Sequence, residues 1–195
     1  MKAWKYVSPG IPDRYFIKKN APMTKEEIRV LIISKLRLRE NSIVYDIGAG
    51  VGSVSVEAAL VARKGIVYAI EKEKARAAHI KKNTKNFGVK NVKVIVGEGS
   101  EIIENKNLEK PDRIFIGGSG GNIERILDAS LKKIKSSGVI VASAVKFETL
   151  SAILKKFEEK KIKYELGYVS IAKERNGILK MLTSVFLVSA KIRAS

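Results

Sequence analysis

The chain has 195 residues, 45% of them hydrophobic, and a formal net charge of +18 from 38 Lys and Arg against 20 Asp and Glu. That length suits one domain with a sizeable core and is short for two, and the absence of cysteine excludes a disulfide framework, a zinc–thiolate site and a cysteine nucleophile. No apolar stretch approaches the roughly 18–20 residues of a membrane span and Met1 to Lys19 lacks a secretory pattern, so a cytoplasmic protein with no membrane partner is expected.

The first 39 residues carry ten Lys and Arg against three Asp and Glu, which makes this the region best suited to meet an anion. Richness in Lys, Glu, Ile and Val equally fits a heat-adapted surface on which charge is structural. After an irregular start containing proline (Ser8 to Pro22), Thr24 reads as an N-cap. It is followed by Glu26 and Glu27 in a first turn and an apolar face of Ile28, Leu31, Ile32 and Leu36, a helix running to about Leu38. Strands over Ser42 to Ile47, Ile66 to Ile70, Val92 to Val96, Arg113 to Ile116 and Gly138 to Ala144 then alternate with helices. Those helices span Ser53 to Arg63, Lys74 to Phe87 (closed by Gly88), Asn122 to Ile134 and Glu148 to Lys160. Short apolar strands joined by amphipathic helices imply a parallel sheet covered on both faces. The rhythm breaks at Lys163 to Lys173 and Ile178 to Ala190, two strand-like runs joined through Arg175-Asn176-Gly177, and Asn-Gly is a strong hairpin signal. A single domain over 1–195 follows, with 1–40 as an N-terminal extension and helix and 41–195 as the core.

The most informative segment is Val44-Tyr45-Asp46-Ile47-Gly48-Ala49-Gly50-Val51-Gly52-Ser53, between the first strand and the first helix of the alternation. Glycines there let the backbone turn sharply and approach a ligand. A dinucleotide fingerprint requires G-x-G-x-x-G, but Ser stands at 53 and the third glycine is Gly52. The pattern D-x-G-x-G-x-G resembles the S-adenosylmethionine (SAM) loop of class I methyltransferases. The seven strands ending in an antiparallel hairpin match the Rossmann-like α/β layout of that superfamily. Glu71 ends the second strand, where a carboxylate can accept from two ribose hydroxyls. Glu98, in Val96-Gly97-Glu98-Gly99-Ser100, stands where the superfamily places a group beside adenine. Asp46 reads as a brace for the loop rather than a ligand.

Gly10-Ile11-Pro12-Asp13, Pro22-Met23-Thr24-Lys25, the run Asp46 to Glu57 and Phe115-Ile116-Gly117-Gly118-Ser119-Gly120-Gly121 narrow the choice. Together they resemble the decarboxylating cobalt-precorrin C(15)-methyltransferase family of cobalamin biosynthesis, over nearly the whole chain. The resemblance implies methylation of carbon 15 of a cobalt-precorrin with loss of an acetate carboxyl, the step from cobalt-precorrin-6B or -7 to cobalt-precorrin-8. It implies SAM contacts from Thr24, Gly48, Ala49, Gly50, Val51, Gly52, Glu71, Glu98 and Gly99, and substrate contacts from Ser119, Gly120 and Gly121. It also implies a homo-oligomer, with a tetramer as one form. No protein nucleophile and no metal site are expected, since alignment of substrate carbon with the donor methyl is the main task.

Glu at 71 and 98, where Asp is common, and Lys146 after the fifth strand depart modestly from the pattern. Lys146 reads as a solvated side chain, with a substrate carboxylate as its other possible partner. His79, the sole histidine, reads as a surface residue of a Lys-rich helix. Trp4, Tyr6, Tyr15 and Phe16 read as packing for the extension, or as a stacking surface or subunit contact. Two other readings stay open: an RNA methyltransferase of the same fold, suggested by the charge, and a non-catalytic SAM-binding protein.

Overall fold

The structure is a computed structural model that describes residues 4–6 and 8–192, so the extreme ends of the domain expected over 1–195 lie outside the described residues. Helix α1 (Glu26–Leu36) precedes an alternation of β1 (Ile43–Ile47), α2 (Ser53–Val61), β2 (Ile66–Glu71), α3 (Lys74–Phe87), β3 (Val92–Val96), α4 (Gly99–Glu104), β4 (Arg113–Ile116), α5 (Ile123–Lys133), β5 (Val139–Ala144) and α6 (Phe147–Glu159). The chain finishes in β6 (Tyr164–Arg175) and β7 (Ile178–Lys191). The seven strands form one sheet in the order β3-β2-β1-β4-β5-β7-β6. The first five are mutually parallel and β7 runs antiparallel to both neighbours. This is the mostly parallel sheet with a closing antiparallel hairpin that the sequence implies.

Period-two alternation divides each central strand between two apolar layers. Tyr45, Ile47, Tyr68, Ile70, Ile114 and Ile116 pack beneath α4, α5 and α6. Val44, Val67, Phe115, Val139 and Val141 face the other way, toward α1 and α2. With both faces covered, the central strands read as continuous apolar runs, whereas β3 at the edge is only half-buried.

Four local outcomes differ from expectation. Lys25, not Thr24, occupies the N-cap of α1 and makes no side-chain cap; the Thr24 carbonyl instead accepts from Arg29 Nη1. The helix ends at Leu36 because Arg37 turns left-handed (φ 50°), its carbonyl held by the buried Arg113 guanidinium at 3.1 and 2.9 Å. Helix α4 was not foreseen, being too short to show a period. At the hairpin, β6 extends to Arg175, leaving a two-residue Asn176-Gly177 turn with both φ positive (56° and 77°), the conformation that favours this dipeptide.

The Gly10-Ile11-Pro12-Asp13 motif is an anchor. Glu57 on α2 accepts the Gly10 and Ile11 N–H groups at 2.9 and 3.1 Å and pairs with Arg29 Nε at 2.8 Å. Arg29, fully buried, also donates to Asp13 Oδ1 at 2.8 Å and to the Ile11 carbonyl. Phe16 is buried against Phe87, ring centroids 4.9 Å apart, and Trp4 packs on the same cluster, so the extension lies on the domain. Tyr6 and Tyr15 are exposed.

Candidate functional site

The carboxyl ends of β1, β2, β3 and β4 meet in a cleft, where open parallel sheets generally hold ligands. The turn after β1 makes three left-handed excursions, at Gly48 (φ 69°), Gly50 (φ 60°) and Gly52 (φ 79°). Each has a spatial reason as well. A Cβ on Gly48 would lie 2.1 Å from the Gly118 carbonyl oxygen, and one on Gly52 would lie 2.7 Å from Ile80 Cγ2. Four of the turn's N–H groups already have partners within the protein. Gly48 and Ala49 donate to the Ile70 carbonyl at 2.9 and 3.0 Å, and Gly52 to Ala49 at 2.8 Å. Gly50 donates to Glu71 Oε2 at 2.8 Å. A phosphate cradle needs such groups aimed at the ligand; this turn instead offers glycine Cα surface and room.

Glu71, 3% exposed at the end of β2, also accepts the Glu73 N–H through Oε1 at 3.0 Å. Those two backbone bonds fix the carboxylate's orientation at the cleft wall, and each oxygen keeps a second lone pair for a ligand hydroxyl. Across the cleft, Glu98 occupies the N-cap position of α4 without a side-chain cap and accepts from Asn122 Nδ2 at 3.3 Å. The buried Gly99 lies so close to Ile47 that a Cβ would come within 2.8 Å of Ile47 Cγ2. Gly97, Glu98, Gly99, Ile70 and Ile126 thus border a partly apolar slot beside the Glu71 carboxylate.

A second cleft lies on the other side of the glycine turn. Ala49, Gly50 and Val51 form one wall, Pro22, Met23, Thr24 and Lys25 another, and Ser143, Val145, Thr183 and Val185 the side toward β5 and β7. Gly48, Gly118 and Arg76 border both clefts, so the two meet at the close contact between the turns after β1 and β4. Arg76 is held by Glu73 at 3.0 Å.

Most of the foreseen residues converge here. Gly48, Glu71, Glu98 and Gly99 line the first cleft and Thr24, Ala49, Gly50 and Val51 the second, while Gly52 packs behind the turn against α3. The loop foreseen as facing substrate divides: Ser119 and Gly120 border the first cleft beside Glu71, and Gly121 opens onto a separate groove with the exposed Lys146. Lys72 leans over this loop, its Nζ 2.4 Å from where a Gly120 Cβ would stand. Arg76, Ser143, Val145, Thr183 and Val185 were missed. The place of Ser143 and Val145 at the end of β5 could have flagged those two, whereas Arg76 lies within α3 and Thr183 and Val185 within β7, and none belongs to a motif. His79 is half-buried rather than a plain surface residue, and its Nδ1 is enclosed without a partner among the described residues.

Asp46 is fully buried behind the turn, accepting from Ser55 Oγ at the start of α2. Burial, reinforced by the nearby negative Glu71, pushes its carboxyl up to about 7 against the opposing Ser55 hydrogen bond. It braces the turn from below and does not line either cleft.

Residues 15–177 match the family model for a precorrin methyltransferase domain. A protein of Pyrobaculum aerophilum named "Probable cobalt-precorrin-6B C(15)-methyltransferase (decarboxylating)" is 39% identical over 194 residues, covering 96% of this chain and 98% of that one. The crystal structure of precorrin-6y C5,15-methyltransferase from Geobacter metallireducens superposes with a TM-score of 0.89 at 36% identity, over 93% of this chain and 96% of that one. The precorrin 8w decarboxylase of Methanobacterium thermoautotrophicum gives 0.85 at 28% identity, over 92% and 98%.

Proposed function

The chain belongs to the precorrin methyltransferase family, and from that premise we propose that it methylates carbon 15 of a cobalt-precorrin and releases carbon dioxide from an acetate side chain of the same macrocycle. When bound, SAM supplies an electrophilic methyl on a sulfonium. The observation that carries the assignment is the pair of clefts meeting at Gly48 and Gly118, with a fixed carboxylate in one and an open, cation-rimmed mouth on the other.

In this reading Glu71 accepts both ribose hydroxyls, and the slot between Ile70, Ile126 and Glu98-Gly99 takes the adenine. The glycine turn fits the donor because the Gly48, Ala49 and Gly50 N–H groups are committed to Ile70 and Glu71 rather than aimed at a ligand. SAM has no phosphate to attract them, so close approach of the backbone is what the turn contributes. The amino-acid portion passes Gly48 toward the second cleft. There Pro22, Met23, Val145 and Val185 offer apolar contact to a flat macrocycle, while Lys25 and Arg76 on the rim attract its carboxylate fringe. Because Ser119 and Gly120 border the first cleft, their substrate role is that of a partition which the macrocycle meets edge-on, with Gly121 on the outer side.

The chemistry asks mainly for alignment. The donor held along the glycine turn would supply the methyl for carbon 15, and Pro22, Met23, Val145 and Val185 would hold the macrocycle against it. The pair left by loss of carbon dioxide delocalises into the conjugated ring. The protein supplies a fixed approach.

We further propose that the chain works as a homo-oligomer assembled through its terminal hairpin. Strand β5 pairs only with residues 186–191 of β7, so the outer half of β7 pairs with β6 alone. That projecting ribbon exposes Ile178, Leu179 and Met181, and an isolated two-stranded ribbon is marginally stable without a partner.

Incubation with methyl-labelled SAM and a cobalt-precorrin pool, beside total RNA, tests the reaction. Label in the macrocycle together with released carbon dioxide is expected. Label in RNA, or in neither acceptor, defeats the assignment.

A further inference from the structure

One buried carboxamide joins the N-terminal segment to the glycine turn. Asn83, on α3 and fully buried, accepts the Ile17 N–H through Oδ1 at 2.8 Å. Its Nδ2 donates to the Ile17 carbonyl at 3.0 Å and to the Val51 carbonyl at 2.9 Å. One acceptor and both donors are used, so the partners dictate which way the amide faces. Aspartate would set an oxygen against two carbonyls, and serine would not reach all three partners.

Both connected pieces form walls of the second cleft. Val51 belongs to the glycine turn, and the chain leaving Ile17 reaches Pro22 to Lys25 on the facing wall. The Pro22 carbonyl stands 3.7 Å from where a Gly50 Cβ would be. The segment's other end is fastened separately, by Glu57 and Arg29 at Gly10, Ile11 and Asp13. Between these fastenings and α1, the turn at Lys19 takes a left-handed φ of 43° and is exposed.

We propose that Asn83 is a positioning residue for the methyl donor: by holding Ile17 and Val51 on a single side chain it fixes the separation of the N-terminal segment from the glycine turn, and with it the width of the cleft. The proposal rests on the reading that SAM lies along that turn. It accounts for a polar group in an otherwise apolar helix face, where Ala77, Ile80 and Phe87 are its buried companions. The amino-acid portion of the donor, reaching this cleft past Gly48, should in turn restrain the segment that walls it.

The test is SAM binding by calorimetry and steady-state kinetics for Asn83→Asp and Asn83→Ala. A distant core variant, Ile153→Val in the opposite helical layer, serves as a stability control. The expected result is a Kd and a KM for SAM raised at least about tenfold, with kcat at saturating SAM close to wild type, while Ile153→Val keeps the wild-type Kd. Folded Asn83 variants that bind SAM as wild type does would overturn the proposal and reduce Asn83 to a stability residue. Should the variants fail to fold, limited trypsin digestion of the wild type decides: SAM should slow cleavage after Lys18 and Lys19, and unprotected cleavage in a protein that binds SAM would also overturn it. A wild type that binds no SAM at all removes the donor site itself, and the proposal with it.

Discussion

Asp46 and Glu71 are two buried carboxylates near one turn whose surroundings give them different work. Glu71 has two backbone N–H donors and a cleft in front of it. Asp46 has one hydroxyl donor, and its Oδ1 is enclosed without a partner among the described residues. Burial raises the Asp46 carboxyl to about 7, above its value of about 3.9 in an unfolded chain. The folded state therefore binds the proton more tightly than the unfolded state. The resulting stabilisation is full below about pH 4 and is lost as pH rises toward 7. Asp46→Asn, which keeps the hydrogen bond to Ser55 without the charge, is expected to gain stability over wild type progressively between pH 4 and 7 and to hold that gain above. Urea denaturation of both proteins across that range checks it; a difference independent of pH would show that Asp46 does not titrate there. Glu71, Glu98 and the glycines were legible because each ends a strand or follows one in a spaced pattern. Asn83 was not, because an asparagine within a helix looks the same whether it faces water or bridges two loops.

At the level of elements, the sequence showed nearly all the helices and strands, since buried parallel strands and amphipathic helices have distinct periods. The boundaries that moved did so for tertiary reasons, as when α1 stops at Leu36 where Arg113 captures the Arg37 carbonyl. Composition also could not reveal that the basic extension is held by a buried ion pair. Arg29 reads as one more cation in a positive region, yet its side chain is fully buried and that of Glu57 is 1% exposed. Removing one partner of a buried pair leaves the other uncompensated and costs about 3–5 kcal/mol. Glu57→Ala also strips the acceptors from Gly10 and Ile11. It is expected to lose stability on that scale in urea and to free the extension for early proteolysis. A loss below about 1 kcal/mol would mean the pair contributes little beyond packing.

For the whole molecule, a charge of +18 surrounds a site whose proposed substrate is a polycarboxylate, and cations stand at its rim in Lys25 and Arg76. Much of the remaining charge is distributed along exposed helix faces such as Lys81, Lys82 and Lys85. That distribution is consistent with a general surface property and leaves the site's selectivity to its clefts. Among the described residues no helix is long and apolar enough to cross a membrane. The hairpin exposes Ile178, Leu179 and Met181, and a combined Leu179→Lys and Met181→Lys change should convert the wild-type assembly to a monomer by light scattering. A wild type that is already monomeric would contradict assembly through this ribbon. The proposed activity requires the turn after β1 and the carboxylate of Glu71 to hold SAM between them. Calorimetric titration of SAM into the wild type and into Glu71→Ala tests this most directly. Loss of charge-assisted hydrogen bonds, worth about 1.5–3 kcal/mol, predicts saturable binding to one site per chain that weakens at least about tenfold in the variant. Equal affinity in the two proteins, or no binding to the wild type, would contradict it.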